Sequence, residues 1–342
     1  MTDRHAAPPT AAAPAVRMVA AVDIGATKTL VTVRPAATAG AGDRTARSSA
    51  WSVGADVARL ATDRDAASLA DRIALEVRAL LAGSGGRLVA VGVGAPGPLD
   101  PATGLVVHSP NLGWRDVPLG RLLSERLDAP VALEDDANAA ALGEWQFGAG
   151  AGADPFAFIT VSSGVGSGIV VGGALLRGAH GLAGEVGHLT VDAEGPRCGC
   201  GRRGCVEAYV GGAALARRAR QSWRSELLAD GSPAPRDADG VLRAARHGDP
   251  VALGLAGEAA EALGRALAAV AASIDPQRIA VGGALALGQP ALVRRAVSIA
   301  RRRCIRETAQ ALTVVPAALG AESVLAGAAA AALRLASERA PS

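Results

Sequence analysis

One histidine and three cysteines stand close together between positions 188 and 205: His188, Cys198, Cys200 and Cys205. One nitrogen and three sulfur ligands form the tetrahedral set of a structural zinc site, with no coordination position left open. Glycines at 199, 201 and 204 allow the chain to wrap tightly around an ion. The fourth cysteine, Cys304, stands apart and reads as a packing residue; four cysteines in 342 residues do not make a disulfide framework. A second group is the pair Asp135 and Asp136, in Val131-Ala-Leu-Glu-Asp-Asp-Ala-Asn, where a strand pattern gives way to a helical one. An aspartate there can cap the helix. An ionised one can instead accept the proton of a hydroxyl that attacks a phosphoryl group.

Two glycine turns supply a third kind of chemistry. Asp23-Ile-Gly-Ala-Thr-Lys28 contains Gly25, Ala26, the Thr27 hydroxyl and the single lysine of the chain, Lys28. Ser162-Ser-Gly-Val-Gly-Ser-Gly168 contains Ser163 and the alternating Gly164, Gly166 and Gly168, where backbone approaches a ligand without a Cβ in the way. Successive N–H groups in such turns form anion nests for phosphate oxygens, and Asp23 is placed to hold a magnesium ion through water. Either turn alone is also an ordinary hairpin. Glu185 and Glu207 flank the cysteine cluster. If one His188 ring nitrogen binds a metal, the other is a fixed donor for a sugar hydroxyl.

The elements that must position these groups repeat along the chain. Met18–Asp23 reads as a buried strand, and the first turn leads directly into a second strand, Leu30–Arg34. A P-loop or dinucleotide-binding glycine turn would lead into a helix instead. Ser68–Leu81 has helical spacing, and Leu88–Val93 is a strand ending in Gly-Ala-Pro-Gly97. The same order returns with strand Phe156–Val161, the second turn and strand Ile169–Val171. Helix Glu258–Ile274 and strand Arg278–Val281 follow, the latter ending in Gly282-Gly283. Ser222–Asp249 reads as a polar surface excursion, and Glu322–Ala336 as a final Ala-rich helix. Such a duplication predicts two related α/β domains facing each other.

Composition excludes several other classes. A net charge of +3 is weak for a nucleic-acid binder, and the run Arg301–Arg303 falls on a helix face. Half of the residues are hydrophobic but only 2% are aromatic, so the cores must be built from small aliphatics. Residues 1–17 contain Pro-Pro and no signal-type apolar core, and read as a disordered tail. No apolar run reaches membrane-spanning length, so a cytoplasmic protein is expected, with neither nucleic acid nor membrane as partner.

These residues resemble the ROK family of sugar kinases and repressors, within the actin, hexokinase and heat-shock ATPase superfamily. The resemblance rests on Asp23–Lys28, Gly94–Gly97, Asn111–Trp114, Glu134–Glu144, Ser163–Gly168, Gly184–His188, Cys198–Glu207, Gly282-Gly283 and Gly320–Ala328. It implies a two-domain actin-like (ribonuclease H-like) ATPase fold, with a duplicated βββαβα-type core and a cleft between the domains. The first domain would span 18–133 plus a terminal helix at about 320–337, and the second 134–319 with the zinc knot.

The resemblance also implies roles. Asp136 would be the base that deprotonates the 6-hydroxyl of a hexose. Gly97, Asn111, Asp135, Glu185, His188 and Glu207 would line the sugar pocket. Asp23–Lys28 and Ser163–Gly168 would hold the phosphates of ATP with Mg2+, and Gly282 and Gly283 would approach the adenosine. One structural Zn2+ and a homodimer are expected. Glucose is the leading acceptor; other hexoses and N-acetylhexosamines, and polyphosphate as donor, remain alternatives. A sugar-sensing repressor of this family carries an N-terminal helix-turn-helix, which the 17 residues before the first strand do not accommodate. Two departures stand out: Asp135 where the family usually has Asn, and Ala26 where it commonly has Gly. An ionised carboxylate only accepts hydrogen bonds, whereas an amide also donates, so Asp135 bears on which sugar is recognised.

Overall fold

The computed structural model describes residues 15–36, 57–223, 227–228 and 233–339. Most of the expected tail therefore lies outside the described residues. Arg17 does not belong to a tail: it opens the first strand and donates to the carbonyl of Ala336.

Long buried runs make the two central strands, β1 (Arg17–Ile24) and β4 (Arg87–Ala95), which pair in parallel. Parallel strands covered on both faces need such continuous apolar runs. The first turn returns β1 antiparallel into β2 (Lys28–Pro35), and β3 (Val57–Ala61) pairs on the outside of β2. After β4 comes a small antiparallel sheet of β5 (Leu99–Asp100), β6 (Leu105–Ser109) and β7 (Trp114–Val117). Then β8 (Val131–Asp135) completes the first sheet in the order β3-β2-β1-β4-β8.

The second sheet repeats the plan. Its strands are β9 (Phe156–Val161), β10 (Val165–Val171), β11 (Ala174–Leu175), β12 (Arg278–Gly282) and β13 (Val314–Pro316). They run in the order β11-β10-β9-β12-β13, the same permutation as the first sheet. The duplicated actin-like core is therefore present. Periodicity did not reveal β3, which is half exposed along its length, or β11, which has two residues.

Helix starts follow local capping chemistry. Asp65 accepts from Ser68 N to open Ala66–Ala82, and Asp249 accepts from Ala252 N to open Pro250–Ile274. With proline at its first turn, that helix begins eight residues before the expected Glu258. The polar stretch 222–249 is not only a loop: Asp237 caps a helix at Ala238–Arg246.

Two helices join the lobes. Asp136–Phe147 lies against the second sheet, and the terminal helix Ser323–Glu338 crosses it and packs back on the first. Glycines set the distance of approach. A Cβ on Gly327 would stand 1.6 Å from the carbonyl oxygen of Ala139, and one on Gly92 would stand 1.8 Å from that of Ala328. The expected stretch of alanines thus serves backbone-to-backbone packing.

Glu144 fastens this crossing. Its fully buried carboxylate accepts from Ala149 N at 2.8 Å, Ala318 N at 3.0 Å, Leu319 N at 2.8 Å and Ser323 Oγ at 2.8 Å. Glu144→Ala leaves these donors unpaired and is expected to destabilise the protein by about 3 kcal/mol or more, measured by urea denaturation. Glu144→Gln, which keeps an acceptor, should cost clearly less; equal losses for the two would show that packing, not hydrogen bonding, dominates there.

Candidate active site

The carboxyl ends of the parallel strands bring the acids together. Across the first sheet Asp23 pairs with Gly94, Gly94 with Glu134, and Ala95 with Asp135. Ligands of open α/β sheets bind in the crevice beyond such strand ends. Asp135 ends β8 and caps the next helix, its Oδ1 accepting from Ala137 N at 3.0 Å and Asn138 N at 3.3 Å. Asp136 is the first residue of that helix. The capping and chemical readings of the pair therefore separate: Asp135 caps, and Asp136 projects from the first turn.

Electrostatics tie these groups to one another. Asp136 keeps an exposed surface, yet the protein crowded around it desolvates its carboxylate and raises it, and the charge of Glu185 adds to that rise. Burial, then the charge of Asp136, pushes Asp135 up to about 8, with Glu185 contributing. Burial and Asp136 push Asp23 up to about 6, against the opposing pull of Lys28.

A narrow recess of about 20 Å3 opens beside this group, lined by Gly97, Asp135 and Glu185 among the expected sugar residues. A recess of this size holds about one water. Asn138, Ser167 and Arg177 line it as well, and sequence reasoning had not singled them out. Arg177 donates to Glu134, whose buried carboxyl stands directly before Asp135. Ser167 donates to the carbonyl of Gly184, so β10 anchors the loop that carries Glu185.

The other expected sugar residues, Asn111, His188 and Glu207, are not in its wall. Asn111 is exposed in the turn between β6 and β7. Gly97 explains how that hairpin is held: its φ is 113°, and a Cβ there would sit 2.2 Å from His108 O. Glu207 accepts from Val165 N at 3.0 Å, with the Cys198 thiol 3.6 Å from its other oxygen. It bridges the cysteine cluster and the second glycine turn. The Nε2 of His188 is 4.0 Å from Glu185.

The two glycine turns are buttressed from behind. In the first, Gly25 N donates to Lys28 O at 2.9 Å, and Thr62 donates through its hydroxyl to Gly25 O and through its N–H to Thr27 O. Ala26, Thr27 and Lys28 remain exposed. In the second, Gly212 N and Ala213 N hold the carbonyls of Ser162 and Ser163. This turn is tighter than expected, because β10 already begins at Val165. Gly168 is buried, and a Cβ on it would lie 2.6 Å from that of Ala141; one on Gly166 would lie 2.9 Å from that of Ala137. These two glycines admit the Asp136–Phe147 helix, and only Ser163 and Gly164 stand at the turn itself. Gly282 is buried, while Gly283, with φ 87°, abuts the carbonyl of Val161 at the end of β9.

The ligand atoms of His188, Cys198, Cys200 and Cys205 all lie within 4.8 Å of one another. Cys200 and Cys205 sulfurs are 3.7 Å apart, and Cys198 Sγ is 3.8 Å from His188 Nδ1. Zinc–sulfur bonds of about 2.3 Å in a tetrahedron give an edge of roughly 3.8 Å, so the spacing fits the ion. The thiols fit it chemically too. Burial, with the neighbouring thiols adding, pushes Cys198 up to about 12, and a cation is what such a cluster needs to ionise. Gly204 fixes the loop, since a Cβ there would fall 1.5 Å from Asp192 O. Nδ1 faces the sulfurs, which leaves Nε2 as the donor on the Glu185 side.

Comparison with known proteins places this architecture. Residues 19–335 match the ROK family. The chain belongs to that family. A glucokinase of Streptomyces coelicolor is 41% identical over 209 residues, covering 59% of this chain and 66% of the relative. The match thus spans just under two thirds of that relative's length. Among solved structures, the ROK hexokinase of Thermus thermophilus superposes with a TM-score of 0.78 at 34% identity, covering 94% of this chain and 99% of the other. A ROK glucokinase of Streptomyces griseus, solved with glucose and AMPPNP, gives a TM-score of 0.70 at 35% identity, covering 93% and 99%.

Proposed function

We propose that this chain is an ATP-dependent hexose kinase that phosphorylates glucose at its 6-hydroxyl. The observation that carries the reading is Asp136, at a helix start directly after the recess-lining Asp135 and close enough to raise Asp23, at the end of the strand that leads into the first glycine turn. The likeness to the S. griseus enzyme, with its glucose and ATP analogue, supports the same reactants. The exposed Ala26–Lys28 turn and the Ser163–Gly164 turn would hold phosphates, with Asp23 beside magnesium and Gly283 towards the adenosine. ATP would supply the phosphoryl group, and the magnesium ion bound to it would offset the charge on the phosphate oxygens. Asp136 takes the proton of O6 as the bond from O6 to the γ-phosphorus forms and the bond to the β,γ-bridging oxygen breaks, releasing ADP. Asp135, Glu185 and His188 would orient the sugar, and His188 with the three cysteines would hold one structural zinc.

The reading includes a homodimer in the cytoplasm. Among the described residues no helix is long and apolar enough to cross a membrane. A coupled assay for ADP with glucose and Mg-ATP tests the proposal, with other hexoses and polyphosphate as parallel arms. Glucose-dependent ADP release is expected. No turnover with any hexose and either donor would overturn it.

A further inference from the structure

The run Arg301–Arg303 has no part in the reaction above. It closes the helix Pro290–Arg303, which is buried through Leu292, Ala296, Ile299 and Ala300. Another stripe of the same helix, Val293, Arg294, Val297, Arg301 and Arg302 at helical spacing, faces β13, the outer strand of the second sheet. A groove of about 710 Å3 lies between them, with Leu287, Val314 and Val315 completing its apolar walls. Its volume is that of a small-molecule site.

Charge within the groove is one-sided. Arg294, Arg301 and Arg302 meet no carboxylate among the described residues; Arg301 donates to Leu312 O at 3.3 Å and Arg302 to Ser298 Oγ at 2.8 Å. Arg303, which is not in the wall, pairs with Glu261. Apolar walls and uncompensated guanidinium groups together call for an amphipathic anion. Shape narrows the class. From Pro290 to Arg302 the helix runs about 18 Å, so the groove has a mean section of about 40 Å2. That is at most about half the section of an α-helix with its side chains, and ample for an alkyl chain. The two long segments outside the described residues bring no net anion: Asp3 is balanced by Arg4, and Asp43 and Asp56 by Arg44 and Arg47. A two-fold pairing of this face with itself would set arginine against arginine.

We propose that the groove between the helix Pro290–Arg303 and β13 is a binding site for a free fatty-acid anion. Its alkyl chain lies along Leu287, Val293 and Val297, and its carboxylate accepts from Arg301 and Arg302. The concave wall takes one chain from solution, whereas a bilayer surface needs an apolar face that it can be pressed into. The site is separate from the turns assigned to phosphate: neither Ala26–Lys28 nor Ser163–Gly164 lines it.

Isothermal titration calorimetry of the full chain with decanoate tests the proposal. One saturable site per chain is expected. Decanol, which keeps the alkyl chain without the charge, should bind at least about tenfold more weakly. The double variant Arg301→Gln, Arg302→Gln should weaken decanoate by a similar factor, while Arg121→Gln, an exposed substitution on another helix, should leave it unchanged. Should the double variant fail to fold, Arg294→Gln, at an exposed position, should still weaken decanoate by about threefold. No saturable binding, equal affinity for decanoate and decanol, or full affinity in the arginine variants overturns the inference. So does one-for-one displacement of decanoate by Mg-ATP, which would give the groove to the nucleotide. Loss of a dimer in the double variant, read by light scattering, would give it to a second copy and overturn the inference as well. Binding to anionic phosphatidylglycerol vesicles without decanoate, abolished in the double variant, would do the same in favour of a membrane surface.

Discussion

Replacing Asp136 by Asn is expected to lower kcat for hexose phosphorylation by about 10²- to 10⁴-fold, with a much smaller change in KM. The amide keeps the size of the side chain and cannot take the proton of O6. Asp136 opens its helix and faces Asp23 across the strand ends, so the substitution does not disturb a cap; Asp135 provides that. Stopped-flow or coupled measurement of ADP release checks the result. A variant with full rate would remove Asp136 from the chemistry.

The pH dependence of this group has a defined sign. Desolvation and the charge of Glu185 raise Asp136 above the ordinary carboxylate range, and the base works only when ionised. The rate should therefore climb with pH on the acid limb at a higher pH than a surface aspartate would give. Stability should move the opposite way. Asp135 has a folded value of about 8, so between the ordinary aspartate range and that value the folded state binds more protons than the unfolded state. Its contribution is fully present at low pH and is lost as pH rises through that window.

The second large effect concerns the metal. The purified protein is expected to hold about one zinc per chain, and Cys205→Ala should remove it with a loss of several kcal/mol and of most sugar affinity. Cys205 is fully buried and directly precedes the short helix Val206–Val210, which carries Glu207. Through Glu207 the cluster holds Val165 N at the second glycine turn, and through His188 it faces Glu185. Losing an ion held there would thus loosen the second glycine turn and one wall of the recess together. Metal analysis with thermal unfolding and sugar titration provides the readout. A zinc-free native protein with normal stability would end this account of the cluster.

The cluster was legible in the sequence because its spacing is local. Three cysteines within eight residues, separated by glycines, can close on an ion whatever the rest of the chain does. The aspartate pair was legible for a related reason: a strand ending in acids before an alanine-rich run places a helix start there, and β8 and the following helix meet at that junction. The repeat of strand, glycine turn and strand revealed the duplication, although β3 and β11 were too exposed or too short to register.

Other features depend on approach between distant segments. Gly166 and Gly168 read equally well as phosphate glycines and as packing glycines; only the position of the Asp136–Phe147 helix against β10 distinguishes the two. Glu144 enters the sequence reading only as the end of the stretch Glu134–Glu144, yet four donors from residues 149 to 323 bury it. Arg177 shows no motif spacing, and Asn138, although inside the stretch Glu134–Glu144, is marked out only by its place in the recess wall.

The sequence by itself determined the duplicated α/β core, the local cluster of one histidine and three cysteines, and the strand-to-helix junction that bears both aspartates. Each of these depends on contacts within a few residues, where side-chain type and spacing set the geometry. Tertiary structure alone decided which glycines admit a helix, which carboxylates lie close enough to raise one another's pKa, and which of the arginines at 301–303 line the groove beside β13. Those are properties of packing and burial, and they arise only when segments distant in the chain are brought within a few ångströms.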